Sequence, residues 1–185
     1  MSAPEVTLGL DRRVLLAYFS RPGENYYYGG RTNLKVGNTA VLAGMIADRI
    51  DCDVFRIDPT EPYPDDYEET VARNVREEQQ NARPGVAGEL PSLDGYDAVL
   101  LGSPVWNVQT PMIMRTFAEA FDWTGKSLHP FVTFAVSGLG SVVSDYRRAA
   151  SDAEISEGLA VQGEEVADAE SAVEAWLSKL GIPKK

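Results

Sequence analysis

The sequence predicts an α/β fold, a doubly wound three-layer sandwich with a five-stranded parallel sheet between layers of helices. Three observations lead there. Apolar runs such as RVLLAYF and YDAVLLG are continuous rather than alternating, which suits strands buried on both faces. Segments of helical periodicity separate these runs, the βαβ order of a parallel sheet. No linker or repeat interrupts the alternation, and 185 residues suffice for a substantial core, so the chain reads as a single domain over 1–185 with its core at about 13–180.

The elements follow in order. Arg13 to Phe19 is the first buried strand. In TAVLAGMIADRI, Val41, Leu42, Met45, Ile46 and Ile50 share one helical face. DVFRI is a short strand that stops before Pro59. Between Tyr63 and Arg83 the chain is polar with Tyr67, Val71 and Val75 four apart, which reads as a solvated helix. YDAVLLGSPVW and PMIMRTFAEAF form the next strand and helix, and PFVTFAVS and SVVSDYRRAA repeat the pair. GLAVQG is the fifth strand. In the last helix Ala169, Ala172, Val173, Trp176, Leu177 and Leu180 recur at helical spacing, with Gly181 placed to end it and Pro183 to forbid continuation.

Composition narrows the function. A net charge of −11 opposes nucleic acid or an anionic membrane as partner, because both require basic patches. No apolar run reaches membrane-spanning length, and the N-terminus lacks the basic-then-apolar order of a signal peptide, so no membrane insertion and a cytoplasmic location are expected. The single cysteine, Cys52, excludes an internal disulfide or a thiolate cluster. The single histidine, His129, starts a strand, opposite the end where sites of α/β sheets form, and reads as structural or solvated.

Ligands of such sheets bind beyond the carboxyl ends of the strands, which directs attention to three loops. The first, Ser20 to Thr39, ends in Gly37-Asn38-Thr39 at a helix start. Gly37 permits close approach, the free N–H groups of the first turn make an anion site, and Ser20 adds a hydroxyl; the same three residues also suit an ordinary cap. The second, GSPVWNVQTP, presents Trp106, whose flat face can stack on a ring system or pack on the neighbouring helix. The third, SGLGS, supplies Gly138, Gly140 and two hydroxyls. It matches a dinucleotide fingerprint only in half, and no G-x-x-x-x-G-K-[ST] occurs.

In this order LLAYFS…GNTAVLAGMIADRI, DGYDAVLLGSPVWN…TPMIMRTFAEAFDWTGKSLHPFVTF and SGLGS resemble the flavodoxin superfamily, nearest its branch with YDxxxLGxPxW and DFxGKxxxPFxT signatures. The resemblance runs from about Arg13 to Leu180. It implies strand order 2-1-3-4-5 and non-covalently bound flavin mononucleotide (FMN). It also implies that Ser20, Asn38 and Thr39 hold the phosphate with the Gly37 to Thr39 amides. Ser103, Pro104, Val105, Trp106 and Asn107 would form the loop beside the isoalloxazine, and Ser137, Gly138 and Gly140 would line its other side. Two departures stand out. Val36 replaces the middle threonine of Ser/Thr-x-Thr-Gly-x-Thr, and Phe134-Ala135-Val136-Ser137-Gly138 replaces a His-Gly-Gly-Ser-Gly type loop.

The stretch from Arg21 to Val36 reads as a long insertion in the phosphate-binding loop. Widening a two-residue gap to sixteen costs only about 1.8 kcal/mol in loop closure. The expectation is a lid over the flavin, with Arg21 or Arg31 supplying charge and Asn25 and the tyrosine run supplying hydrogen bonds or ring faces; a surface ornament contacting a partner is the alternative. Function then reads as electron transfer through FMN to a redox partner protein or a small-molecule electron acceptor. One carboxylate about 7 Å away costs reduced, anionic flavin roughly 2 kcal/mol, or ~100 mV, so the acidic surface favours a low-potential carrier. The alternatives are an FMN-dependent NAD(P)H:quinone or other small-molecule oxidoreductase and a flavin-free binding module. A phosphorylated receiver module is excluded, because the first strand ends YFSR where acidic residues are required.

Overall fold

The computed structural model describes residues 13–185. In chain order the strands are β1 (Val14–Tyr18), β2 (Gly23–Tyr27), β3 (Gly30–Leu34), β4 (Asp53–Arg56), β5 (Ala98–Pro104), β6 (Ser127–Phe134), β7 (Glu154–Ile155) and β8 (Leu159–Gln162). The helices are α1 (Asn38–Ala47), α2 (Tyr67–Gln79), α3 (Met112–Glu119), α4 (Val142–Ala149) and α5 (Glu170–Leu180), with a 3₁₀ turn over Gly163–Asp168.

The main sheet is parallel and runs β4-β1-β5-β6, and both β7 and β8 pair with β6. Taking β7 and β8 as one interrupted strand, this is the expected 2-1-3-4-5 order. The interruption has a local cause. β7 pairs with Ser127 and Leu128, β8 with Phe131 to Phe134, and Pro130 lies at the break with its carbonyl against Gly158. Proline has no N–H to give a ladder there.

Period-two alternation along β1 sends neighbouring residues to opposite faces. Val14 and Leu16 join Leu42, Ile46, Trp176 and Leu177 under α1 and α5. Leu15 and Ala17 join Ile113, Phe117, Val142 and Tyr146 under α3 and α4. Gly102 is required where the layers are tightest, because a Cβ there would overlap the ring of Phe131, its cross-strand neighbour.

Two expectations need correction. The solvated helix begins at Tyr67 rather than Tyr63, because Asp66 caps it, Oδ1 accepting from the Glu69 N–H at 2.8 Å. The stretch from Arg21 to Val36, expected as an inserted loop, contains a second sheet, an antiparallel hairpin of β2 and β3. Its two-residue turn, Tyr28-Gly29, has φ of +44° and +84°, the left-handed pair that matches strand twist. His129 has the structural role expected of it: it is buried, its ring nitrogens 2.7 Å from Ser156 Oγ and 3.0 Å from Ser127 Oγ.

Candidate functional site

The carboxyl ends of β1, β5 and β6 and the start of α1 surround a cleft of about 90 Å³. At its base α1 begins without a side-chain cap of its own from Gly37. The cap comes instead from the end of β1, where Ser20 Oγ accepts the Ala40 N–H at 3.0 Å. Helix geometry leaves the Asn38 and Thr39 amides without intrahelical acceptors, and both residues line the cleft. Gly37 is fixed by this closeness, since a Cβ would overlap Ser20 Oγ and lie 2.8 Å from the Arg21 carbonyl. Thr39 Oγ1 shares a 2.7 Å hydrogen bond with Thr133 Oγ1, tying α1 to β6.

The loop after β5 provides the apolar wall. Pro104, Val105 and Trp106 line the cleft, and the Val105 N–H continues the sheet to the Thr133 carbonyl. Trp106 packs edge-on against Phe19 and Tyr63, at 5.4 and 4.9 Å between ring centroids. The same indole thus packs on Phe19 and Tyr63 and lines the cleft. Ser103 lies beneath, fully buried, its hydroxyl on the Pro104 carbonyl.

Asn107 and Val108 turn the chain with φ of +51° and +67°. A β-branched residue rarely adopts this conformation. Here the Ser141 N–H holds the Val108 carbonyl at 2.8 Å, and Thr110 donates its N–H to buried Asp145 at 3.0 Å. Asp145 also accepts from Arg148 at 2.7 Å and, with both its oxygens, from Ser141 Oγ, which clips the second and third loops together. Ser137, Gly138 and Gly140 do not line the cleft; Gly140 packs against the Val108 carbonyl, while Phe134 and Ala135 from the end of β6 face the cleft in their place.

Arg21 lines the cleft, yet its guanidinium is engaged elsewhere. It donates to the carbonyls of Glu24 (2.6 Å), Pro64 (2.9 and 3.1 Å), Asp65 (2.7 Å) and Asp66 (3.3 Å). Burial lowers its pKa, and Asp65, Glu24 and Asp66 oppose that shift. Arg31 is away from the cleft, paired with Glu68 at 2.9 Å and stacked 3.8 Å over the Tyr67 ring. Arg21 attaches the hairpin to the segment before α2, and Arg31 attaches it to the first turn of α2. At the tip the Tyr28 N–H reaches Glu164 Oε1 at 3.0 Å, so the hairpin bridges the cleft, and Asn25 and Tyr26 line it.

Sequence reasoning missed Glu164, Tyr67 and Thr133. Glu164 follows the last strand, and the rule that ligands gather at carboxyl ends, applied to β8, points to it. Its Oε2 is buried without a partner. Tyr67 carries no such signal. A second cleft of about 250 Å³ adjoins the first and shares Arg21, Asn25, Tyr67, Val105 and Trp106 with it.

A family model described as Flavodoxin matches residues 32–180. Among solved structures, a protein from Bacteroides eggerthii described as a flavoprotein is 25% identical with a TM-score of 0.72, covering 92% of this chain and 98% of its own. A second, from Bacteroides uniformis, is 24% identical with a TM-score of 0.71, over 90% and 98%. A Lactobacillus acidophilus flavoprotein in complex with FMN is 20% identical with a TM-score of 0.63, over 85% and 97%. No curated protein matches the sequence.

Proposed function

From the premise that this chain belongs to the flavodoxin family, we propose that it binds FMN non-covalently in the β1–β5–β6 cleft and serves as a redox protein in electron transfer. The residues present fit the cofactor. The Asn38 and Thr39 amides, with the Ser20 and Thr39 hydroxyls, offer donors to a phosphate at a helix N-terminus without a cation. The orphaned Glu164 Oε2 offers an acceptor to ribityl hydroxyls. Val105 and Trp106 offer the apolar wall to the ring. The observation that carries the reading is this pairing of uncapped amides with a buried, unpartnered acceptor in one cleft.

Bound flavin supplies one- and two-electron chemistry. The chain's own part is binding, orientation and field. Among the described residues the ionisable side chains lining the cleft are Arg21, Tyr26, Tyr67 and Glu164, and Arg21 is held by carbonyl oxygens. The Glu164 carboxylate disfavours added negative charge on the ring. The net charge of −11 steers a basic partner at low ionic strength.

A second reading, an FMN-dependent NAD(P)H:quinone or other small-molecule oxidoreductase, is favoured by the adjoining cleft at Trp106. Anaerobic addition of NADPH to FMN-loaded protein separates the two. Flavin colour that persists until dithionite is added supports the carrier, and direct bleaching by NADPH that a quinone reverses supports the enzyme. Among the described residues no helix is long and apolar enough to cross a membrane.

A further inference from the structure

The cleft of about 250 Å³ beside Trp106 has a wall, on α2, that the FMN reading does not use. Its α2 wall is Val71, Asn74 and Val75, one stripe at helical spacing. On a helix that is otherwise strongly polar, Val71 and Val75 remain 40% and 38% exposed. Asn74 is 5% exposed, and its Oδ1 is buried without a partner. The amide orientation is settled by its neighbour. Nδ2 donates to Glu78 Oε1 at 3.0 Å, and a flipped amide would set oxygen against that carboxylate. The other oxygen, Oε2, takes Asn107 Nδ2 at 2.7 Å. Glu78 is thus occupied on both sides, and Asn74 presents an acceptor that lacks a donor.

We propose that this cleft binds a small, uncharged aromatic molecule carrying an O–H or N–H donor, the class of phenols and hydroquinones. Trp106 and Tyr67 supply flat faces and the two valines an apolar floor, the lining that small-ring sites share. Anions are rejected, because Glu78 stands behind Asn74 and the Arg21 guanidinium is held by carbonyls. Trp106 belongs to both clefts, so the occupant lies next to the proposed flavin. Any redox role for it rests on the small-molecule reading above, whereas its binding does not.

The test uses two redox-inert isosteres, 4-methylphenol and 4-methylanisole, titrated into isotope-labelled protein as purified and again with saturating FMN. The phenol is expected to shift the resonances of Val71, Asn74, Val75 and Asn107 saturably, and the methyl ether to bind about tenfold more weakly for want of the donor. Asn74→Leu should bring the phenol down to the ether's affinity. Val75→Asp, at a half-exposed position, should abolish both, and each variant should keep its FMN affinity within roughly twofold. Equal affinities for the two probes, or shifts confined to the residues around Ser20 and Thr39, would overturn the proposal. Phenol binding without FMN binding would support this cleft while refuting the cofactor reading. FMN binding with no phenol shifts would refute this cleft alone.

Discussion

Replacing Arg21 with glutamine separates a structural arginine from a phosphate ligand. Its guanidinium reaches four backbone carbonyls on both sides of the hairpin's attachment to residues 64–66. Hydrogen bonds from a charged donor contribute about 1.5–3 kcal/mol each before the desolvation of the buried cation is subtracted. Allowing for that offset and for rehydration of the freed carbonyls, Arg21→Gln should weaken the attachment by about 3 kcal/mol. Amide hydrogens of the hairpin, at Tyr26 and Arg31 for example, should then exchange roughly a hundredfold faster, since each 1.4 kcal/mol is a factor of ten. If the hairpin unfolds together with the domain, Tm should fall by about 6–12 °C. Arg21→Lys is the control. It keeps the charge but loses the planar fork, and should behave nearly as badly as glutamine. Unchanged exchange and Tm in Arg21→Gln, with FMN affinity lost and restored by lysine, would refute the structural assignment and make Arg21 a phosphate ligand.

Other substitutions probe the remaining parts. Gly37→Ala forces a methyl into Ser20 Oγ and the Arg21 carbonyl; it should destabilise the domain by about 1–3 kcal/mol in urea titration and abolish measurable FMN binding. Asp145→Asn weakens the clip between the second and third loops, and should lower stability by about 2 kcal/mol and raise proteolytic cleavage within 103–110. Glu119 is held below its ordinary pKa of 4.5, chiefly by its hydrogen bond from Arg83. Because the folded pKa lies below the unfolded one, this pair stabilises above the ordinary value and its contribution disappears as pH falls through the folded value. Glu119→Gln should therefore remove less than about 1 kcal/mol at neutral pH, the pair being surface-exposed, and nothing in strong acid.

The sheet was legible because its strands are buried on both faces, and continuous runs such as VLLAY have few other uses. The α1 amide site was legible because glycine followed by polar residues at a helix start has a fixed geometric meaning. The hairpin was not. β2 and β3 are polar segments, GENYY and GRTNL, with no apolar face to announce a period of two. The turn signal is weak as well, because Tyr28 takes a left-handed position usually given to Asn, Asp or Gly. The hairpin is held by Arg21, Arg31 and Glu164 across sequence separations no local pattern records. Arg21 reads as an anion ligand because a basic residue beside a helix N-terminus invites that reading, whereas most of the carbonyls that surround it come from residues 64–66, remote in sequence. Asn74 and Glu164 escaped notice for a related reason. An unpartnered acceptor is a property of packing, and a sequence does not show which groups go without.

The proposed FMN site sets the phosphate at the α1 N-terminus and the ring beside Trp106. Its most direct test is a fluorescence titration of flavin-free protein with FMN and, separately, with riboflavin, which has the same ring and ribityl chain but no phosphate. Stoichiometric quenching by FMN is expected, with affinity for riboflavin weaker by roughly a hundredfold or more, the loss of about two charge-assisted hydrogen bonds. Equal affinity for the two would contradict the phosphate site, and binding of neither would contradict the cofactor itself.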